Sequence, residues 1–263
     1  MAMWTDVVDL RDFYDTRLGQ VARHMIRRGV RSVWPNVGGE RLLGLGYATP
    51  YLRQFKDEAE RVIAMMPAGQ GVLHWPPEGP NCVALGDECE LPLPDNAVDR
   101  VLVVHALESA ELLRDMMREV WRVMTGEGRL LVVVPNRRGI WARVDRTPFG
   151  WGHPYSPSQL SRLLRDHMFT PVRTEQALFV PPTRSNTLLR SAAAVERLGR
   201  RWFPTFSGVV MIEAGKQLYA ATPVREKSRF RRPVVVRFPQ VAGRSPRGRV
   251  ERKRLDDQGQ EPA

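Results

Sequence analysis

Residues 84–108 read ALGDECELPLPDNAVDRVLVVHALE, and this stretch decides the fold. An apolar run ends at Gly86-Asp87, the loop ELPLPDNAVD (90–99) follows, and a second apolar run ends at His105. Runs that are almost continuously apolar, rather than alternating, are expected of strands buried on both faces of a parallel sheet. The same pattern recurs on either side, in RLLGLG (41–46), RVIAMM (61–66), NCVAL (81–85), DRVLVV (99–104) and GRLLVVVP (128–135). Between the last two, ESAELLRDMMREVWRVMTGEG places Leu112, Leu113, Met116, Met117, Val120 and Val123 at helical spacing, with Gly126 and Gly128 ending the helix. Strands alternating with helices predict an α/β sheet built from right-handed crossovers.

The flanks extend this unit. Residues 12–34 predict an N-terminal helix closed by Pro35, and SPSQLSRLLRDH (156–167) a helix with Ser156 as N-cap and Pro157 in its first turn. Two β-rich runs, 169–180 and 208–223, flank a helical insertion at 185–203. The expected organisation is one domain over 1–223, with its core at 40–180 and a closing strand at 208–222. An extended tail, 224–263, follows, in which RRPVVVRFP is a segment able to dock on the domain.

Composition narrows the class. The 263 residues are 43% hydrophobic and 26% charged, ordinary for a soluble globular protein, and long enough to bury a sizeable core. No apolar run approaches the roughly 20 residues of a membrane span, so no membrane partner is expected. The acidic, patterned start MAMWTDVVDLRDFYD carries no secretory or transit signature, which makes the cytoplasm the expected compartment. Cys82 and Cys89 are too few for a disulfide framework or structural zinc, and the scattered histidines suggest no metal site. Of the net charge of +11, the stretch 224–263 holds +7, from 12 Lys/Arg against 5 Asp/Glu. That tail lacks interleaved aromatics and the body is only mildly basic, so nucleic acid is not an expected partner.

The chemistry-bearing turn is ERLLGLGYATPYLRQF (40–55), a strand, a glycine turn and a helix start. Such a turn lets the backbone approach a ligand while helix N–H groups point at it. No GxxxxGK[ST] loop, HExxH or GxSxG elbow competes with it. The turn, the 84–108 stretch and LLRDMMREVWRVMTGEGRLLVVVPN together resemble the class I S-adenosylmethionine-dependent methyltransferases of the type 11 domain family. In that family the three read hLDLGCGTGYL, gDaeeLPFpDnsFDvVlsshaLeh and lReiaRVLkPGGrlvi, in the same order.

The resemblance implies a Rossmann-like fold: a seven-stranded, mostly parallel sheet with helices on both faces. It also implies the cofactor S-adenosyl-L-methionine, with S-adenosyl-L-homocysteine as product. Carried over residue by residue, Gly46 is the first glycine under the cofactor, with Gly44, Tyr47 and Thr49 in the same turn. Asp87 sits where an acid accepts from the adenine amine, and Glu88 lies beside the ring. His105 lines the pocket near the methyl, either as wall or as catalytic base. Tyr14 closes over the cofactor or packs in the core. The loop after the fifth strand brings Asn136, Arg137, Arg138, Trp141 and Tyr155 to the substrate side as lid, or packs as a surface loop. Thr49 followed by Pro50 predicts a hydroxyl N-cap.

The chain departs from the family at three places. Gly44 replaces the strand acid, Ala48 and Pro50 replace the later glycines, and AMMPAGQG (64–71) ends the second strand without the carboxylate that grips the ribose. Two functions are therefore expected: a methyltransferase for a small-molecule or protein acceptor, or an inactive relative that binds and regulates a partner protein.

Overall fold

The computed structural model describes residues 5–183 and 185–218. A seven-stranded sheet is ordered β3-β2-β1-β4-β5-β7-β6. The strands are β1 (Arg41–Gly46), β2 (Arg61–Pro67), β3 (Val83–Gly86), β4 (Val98–Val104), β5 (Met124–Pro135), β6 (Phe169–Ala177) and β7 (Val209–Lys216). The first five run parallel, and β7 pairs antiparallel with both β5 and β6. The strand order reverses between β1 and β4, so the carboxyl ends of those two strands open the crevice where sheets of this kind bind ligands.

Both faces are covered. Leu43, Leu45, Val101, Val103, Leu130 and Val132 pack against α4 (Leu113–Val123) and α5 (Pro157–Asp166). Leu42, Leu102, Leu131 and Val133 share the other core with α1 (Val7–Asp15), α2 (Arg17–Val33) and α3 (Thr49–Leu52). The insertion is helical as expected, in two pieces, α6 (Asn186–Arg190) and α7 (Ala192–Trp202). α5 carries the anticipated cap as a full capping box between Ser156 and Gln159.

Four local expectations are corrected. The N-terminal helix is broken at Thr16 into α1 and α2 and starts earlier, at Val7. Thr16 is extended, and its hydroxyl accepts from Gly19 N–H at 3.0 Å, capping α2. Only glycine fits at 19, since a Cβ would collide with the Phe13 carbonyl across the corner. α4 ends at Val123, not at the glycines, and Leu112 lies before it, 59% exposed. Met124 to Gly128 instead begin β5, with a register shift against Val98–Arg100 absorbing the extra residues. β3 is Val83–Gly86, beginning two residues later than NCVAL (81–85) and ending one later, because Asn81 is used up in a turn, accepting from Val83 N–H. The helix after β1 is capped by Ala48, already helical at φ −87°, so Thr49 is its first residue and no side chain caps it. The stretch 224–263, RRPVVVRFP included, lies outside the described residues.

Candidate active site

α1 lies across the carboxyl edge of the sheet and is fastened at both ends. Val7 N–H donates to the Gln70 carbonyl at 2.8 Å, just beyond β2. At the other end the Tyr14 hydroxyl lies 2.7 Å from His105 Nε2, just beyond β4. Gln70 also donates from Nε2 to the His105 carbonyl at 2.8 Å, so its side chain bridges the ends of β2 and β4 across β1.

A buried polar chain results. Tyr51 donates to the Tyr14 hydroxyl at 2.8 Å, which directs the Tyr14 hydrogen to His105 Nε2. His105 then carries its proton on Nδ1, 3.2 Å from Glu108 Oε1. Burial and the neighbouring Tyr51 hold the Tyr14 phenol well above its ordinary range, and burial raises Tyr51 as well. Tyr14 stacks on Tyr47 with ring centroids 5.7 Å apart, and Phe149 lies 5.2 Å from His105. His105 adopts φ +51°, a left-handed backbone costing on the order of 1–3 kcal/mol that clusters at functional sites.

Two oxygens at this edge are buried without a partner, Glu108 Oε2 and Gln70 Oε1. An unmet buried acceptor is rare enough to ask for an occupant. Neither residue stood out from the sequence. Glu108 closes the 84–108 stretch and follows His105 by three positions, which was the available signal. Gln70 sits where the family pattern carries the ribose acid, and its amide does not match that pattern.

The turn itself keeps its first glycine. Gly46 has φ +79°, and a Cβ there would collide with the Val104 carbonyl oxygen. Gly44 does not face the cleft with usable space, because Leu52 Cδ1 and the Ala48 methyl fill the place of a side chain. Thr49 is buried at the start of α3. Asp87 is exposed at the end of β3, its Oδ1 accepting from Cys89 N–H at 2.7 Å, and burial raises the half-buried Glu88 carboxyl.

The loop after β5 divides. Asn136 is a buried staple, not a lid: its Nδ2 donates to the Ser207 carbonyl (2.9 Å), Ser207 Oγ (2.9 Å) and the Thr205 carbonyl (3.1 Å). Trp141 is likewise core, donating to the Val180 carbonyl at 2.7 Å and packing edge-on against Phe149. Arg137 and Arg138 are exposed. Tyr155 is half-buried, and burial together with Glu108 raises its phenol, which places it beside the polar chain. Asn136→Ala is expected to cost about 2–3 kcal/mol by orphaning the buried Ser207 carbonyl and hydroxyl, against under about 0.5 kcal/mol for Arg137→Ala. Urea unfolding of the two variants reads the difference.

Residues 42–132 match the family model described as "Methyltransferase domain". Solved structures agree on the fold. An S-adenosylmethionine-dependent methyltransferase of Thermotoga maritima, described as a possible histamine N-methyltransferase, superposes with TM-score 0.57 at 16% identity, over 80% of this chain and 96% of that one. A protein described as a methyltransferase, in complex with the Trm112 methyltransferase activator of Haloferax volcanii, gives 0.59 at 16% identity, over 80% and 95%. A methyltransferase of Archaeoglobus fulgidus gives 0.52 at 21%, over 74% and 94%. No curated protein matches this sequence. No helix among the described residues is long and apolar enough to cross a membrane.

Proposed function

We propose that this chain is an S-adenosylmethionine-dependent methyltransferase of the cytoplasm, acting on a small-molecule or protein acceptor that loses a proton to His105. One observation carries the reading: His105, on a strained backbone at the end of β4, is backed by Glu108 at Nδ1 and presents Nε2 to Tyr14 on α1.

The polar groups at the edge fit the cofactor's chemistry. Gly46 allows close approach, Asp87 and Glu88 offer acceptors for an adenine amine, and Tyr47 and Thr49 flank the turn. The unpartnered Gln70 Oε1 suits a ribose hydroxyl and Glu108 Oε2 a cationic centre, in place of the two missing acids. When bound, the cofactor supplies an electrophilic methyl group on a sulfonium. The space is the obstacle, since the Tyr14 ring rests directly on Tyr47. Entry therefore requires Tyr14 to withdraw with α1, which also uncovers His105 Nε2.

The residues then have separable roles. Nε2 accepts the acceptor's O–H or N–H proton, and Glu108 Oε1 stabilises the imidazolium through Nδ1–H. Tyr155, Arg137 and Arg138 border the acceptor side, and α1, returning, excludes water. Calorimetric titration with S-adenosylmethionine and S-adenosylhomocysteine tests the cofactor. Micromolar affinity, weakened about tenfold in Asp87→Ala by loss of one hydrogen bond to a charged acceptor, is expected. Folded protein that takes up neither ligand would sink the enzyme reading.

A second reading, an inactive domain that regulates a protein partner, is favoured by Leu52 filling the position above Gly44 and by the Tyr14–Tyr47 stack. One structural relative is itself complexed with a methyltransferase activator. Absent cofactor binding combined with a stoichiometric co-purifying protein is the outcome that selects it.

A further inference from the structure

A cavity of about 440 Å³ is lined in part by Tyr47, Thr49 and Pro50 of the glycine turn. α1 contributes Arg11 to it, α2 contributes Arg23 and Arg27, the segment after α3 contributes Arg53, and the β2–β3 connection contributes His74 and Trp75. Its size is that of a small-molecule site. Four guanidiniums converge on it from three segments of the chain, and no carboxylate lines it.

The charge is only partly met by the protein. Arg11 pairs with Asp12 at 2.9 Å and Arg53 with Glu78 at 2.6 Å, both in exposed bridges of the kind that bind weakly. Arg23 and Arg27 have no acidic partner within salt-bridge distance among the described residues. The contrast on α2 is informative. Arg23, Arg27 and Arg31 follow one another at four-residue spacing, which is unfavourable for like charges. Arg31 is neutralised by Glu58 at 2.7 Å, while the two that face the cavity are left bare. Tyr47 also lines the cavity, and its phenol, pushed up to about 12, first by burial, is a hydrogen donor at neutral pH. Leu73, Trp75 and Pro77 supply apolar lining beside the arginines.

We propose that this cavity binds a phosphate group carried on a small molecule, the phosphate held by the Arg23 and Arg27 forks and the remainder lying against Leu73, Trp75 and Pro77. Planar guanidiniums match phosphate oxygens two at a time, a geometry lysine does not offer. A cavity lined from several segments of the chain suits one compact dianion rather than the row of phosphates on a nucleic acid. Tyr47, Thr49 and Pro50 of the glycine turn also line the cavity, while its charge comes from α1, α2 and the segment after α3, none of which supplies a group assigned to the cofactor.

The test is calorimetric titration with pyrophosphate and with inorganic phosphate at constant ionic strength, on the full chain. Saturable one-to-one binding is expected, at least about tenfold weaker in Arg23→Gln/Arg27→Gln. A control pair with the same loss of charge, Arg28→Gln/Arg114→Gln, should stay within about twofold. Arg23→Lys/Arg27→Lys keeps the charge and the helix but removes the forks, and should fall between. Unchanged thermal midpoints establish that the variants fold. No saturation by about 10 mM pyrophosphate, or equal losses in the two glutamine pairs, overturns the site. So does a single-stranded RNA oligonucleotide that binds far more tightly than pyrophosphate through the same arginines, since the surface would then serve nucleic acid.

Discussion

Tyr14→Ala is expected to cost about 3–5 kcal/mol of folding stability while raising affinity for S-adenosylmethionine at least about tenfold. The two effects have one origin. The ring is 2% exposed, stacks on Tyr47 and meets Phe13 and Tyr51 edge-on, so its removal leaves a large cavity. That cavity lies against Tyr47, in the turn to which the proposed cofactor is assigned. The closed helix subtracts from apparent affinity in proportion to how seldom it opens, and removing the ring lifts that tax.

Tyr14→Phe separates space from hydrogen bonding. It keeps the ring and strips His105 Nε2 and the Tyr51 hydroxyl of their shared partner, for about 1–3 kcal/mol with no gain in affinity. Urea unfolding gives the first quantity and calorimetry the second. Should Tyr14→Ala fold but bind cofactor more weakly than the parent, the ring covers a bound ligand instead of displacing it. The capping account of α1 would then be abandoned.

Much of the architecture was legible because it rests on long patterns. Continuous apolar runs gave β1, β2, β4 and the core of β5, and the periodicity of Met116, Met117, Val120 and Val123 gave α4. Boundaries failed where a local contact outweighed the pattern. Thr16 is an ordinary helical position by periodicity, and only the close approach of Gly19 to Phe13 makes it a corner. Gly126 and Gly128 read as a helix stop, yet their lack of side chains serves a bulged strand start equally well.

The site was less legible, for a different reason. Gly46, Asp87 and His105 are legible as candidates from a motif, because each occupies a fixed distance from a strand end. Glu108 and Gln70 acquire meaning only when the sheet brings the ends of β2 and β4 to either side of β1. Asn136 and Trp141 looked like lid residues from their neighbours in sequence. Their partners, Ser207 and Val180, come from the β6–β7 connection, some 40 to 70 positions away. No local pattern encodes that pairing.

The three clustered tyrosines, Tyr14, Tyr47 and Tyr51, also set an alkaline limit. Tyr14 and Tyr51 are raised and Tyr47 is pushed up to about 12, in each case chiefly by burial. In the unfolded chain all three ionise near about pH 10. Their folded values lie higher, so the stability they contribute is complete below pH 10 and is lost as pH climbs from there through the folded values. Each group held protonated lowers the unfolding free energy by about 1.4 kcal/mol per pH unit, hence about 4 kcal/mol for the three. Against a total stability of roughly 5–15 kcal/mol, unfolding is expected within about two to three units above pH 10. Urea midpoints from about pH 9 to about pH 12, followed together with tyrosinate absorbance, measure both halves of the argument. Tyr14→Phe should remove one third of the slope while leaving the stack in place. A folded protein whose tyrosines all titrate near about pH 10 would mean that solvent reaches the stack, and α1 would not be the seal described here.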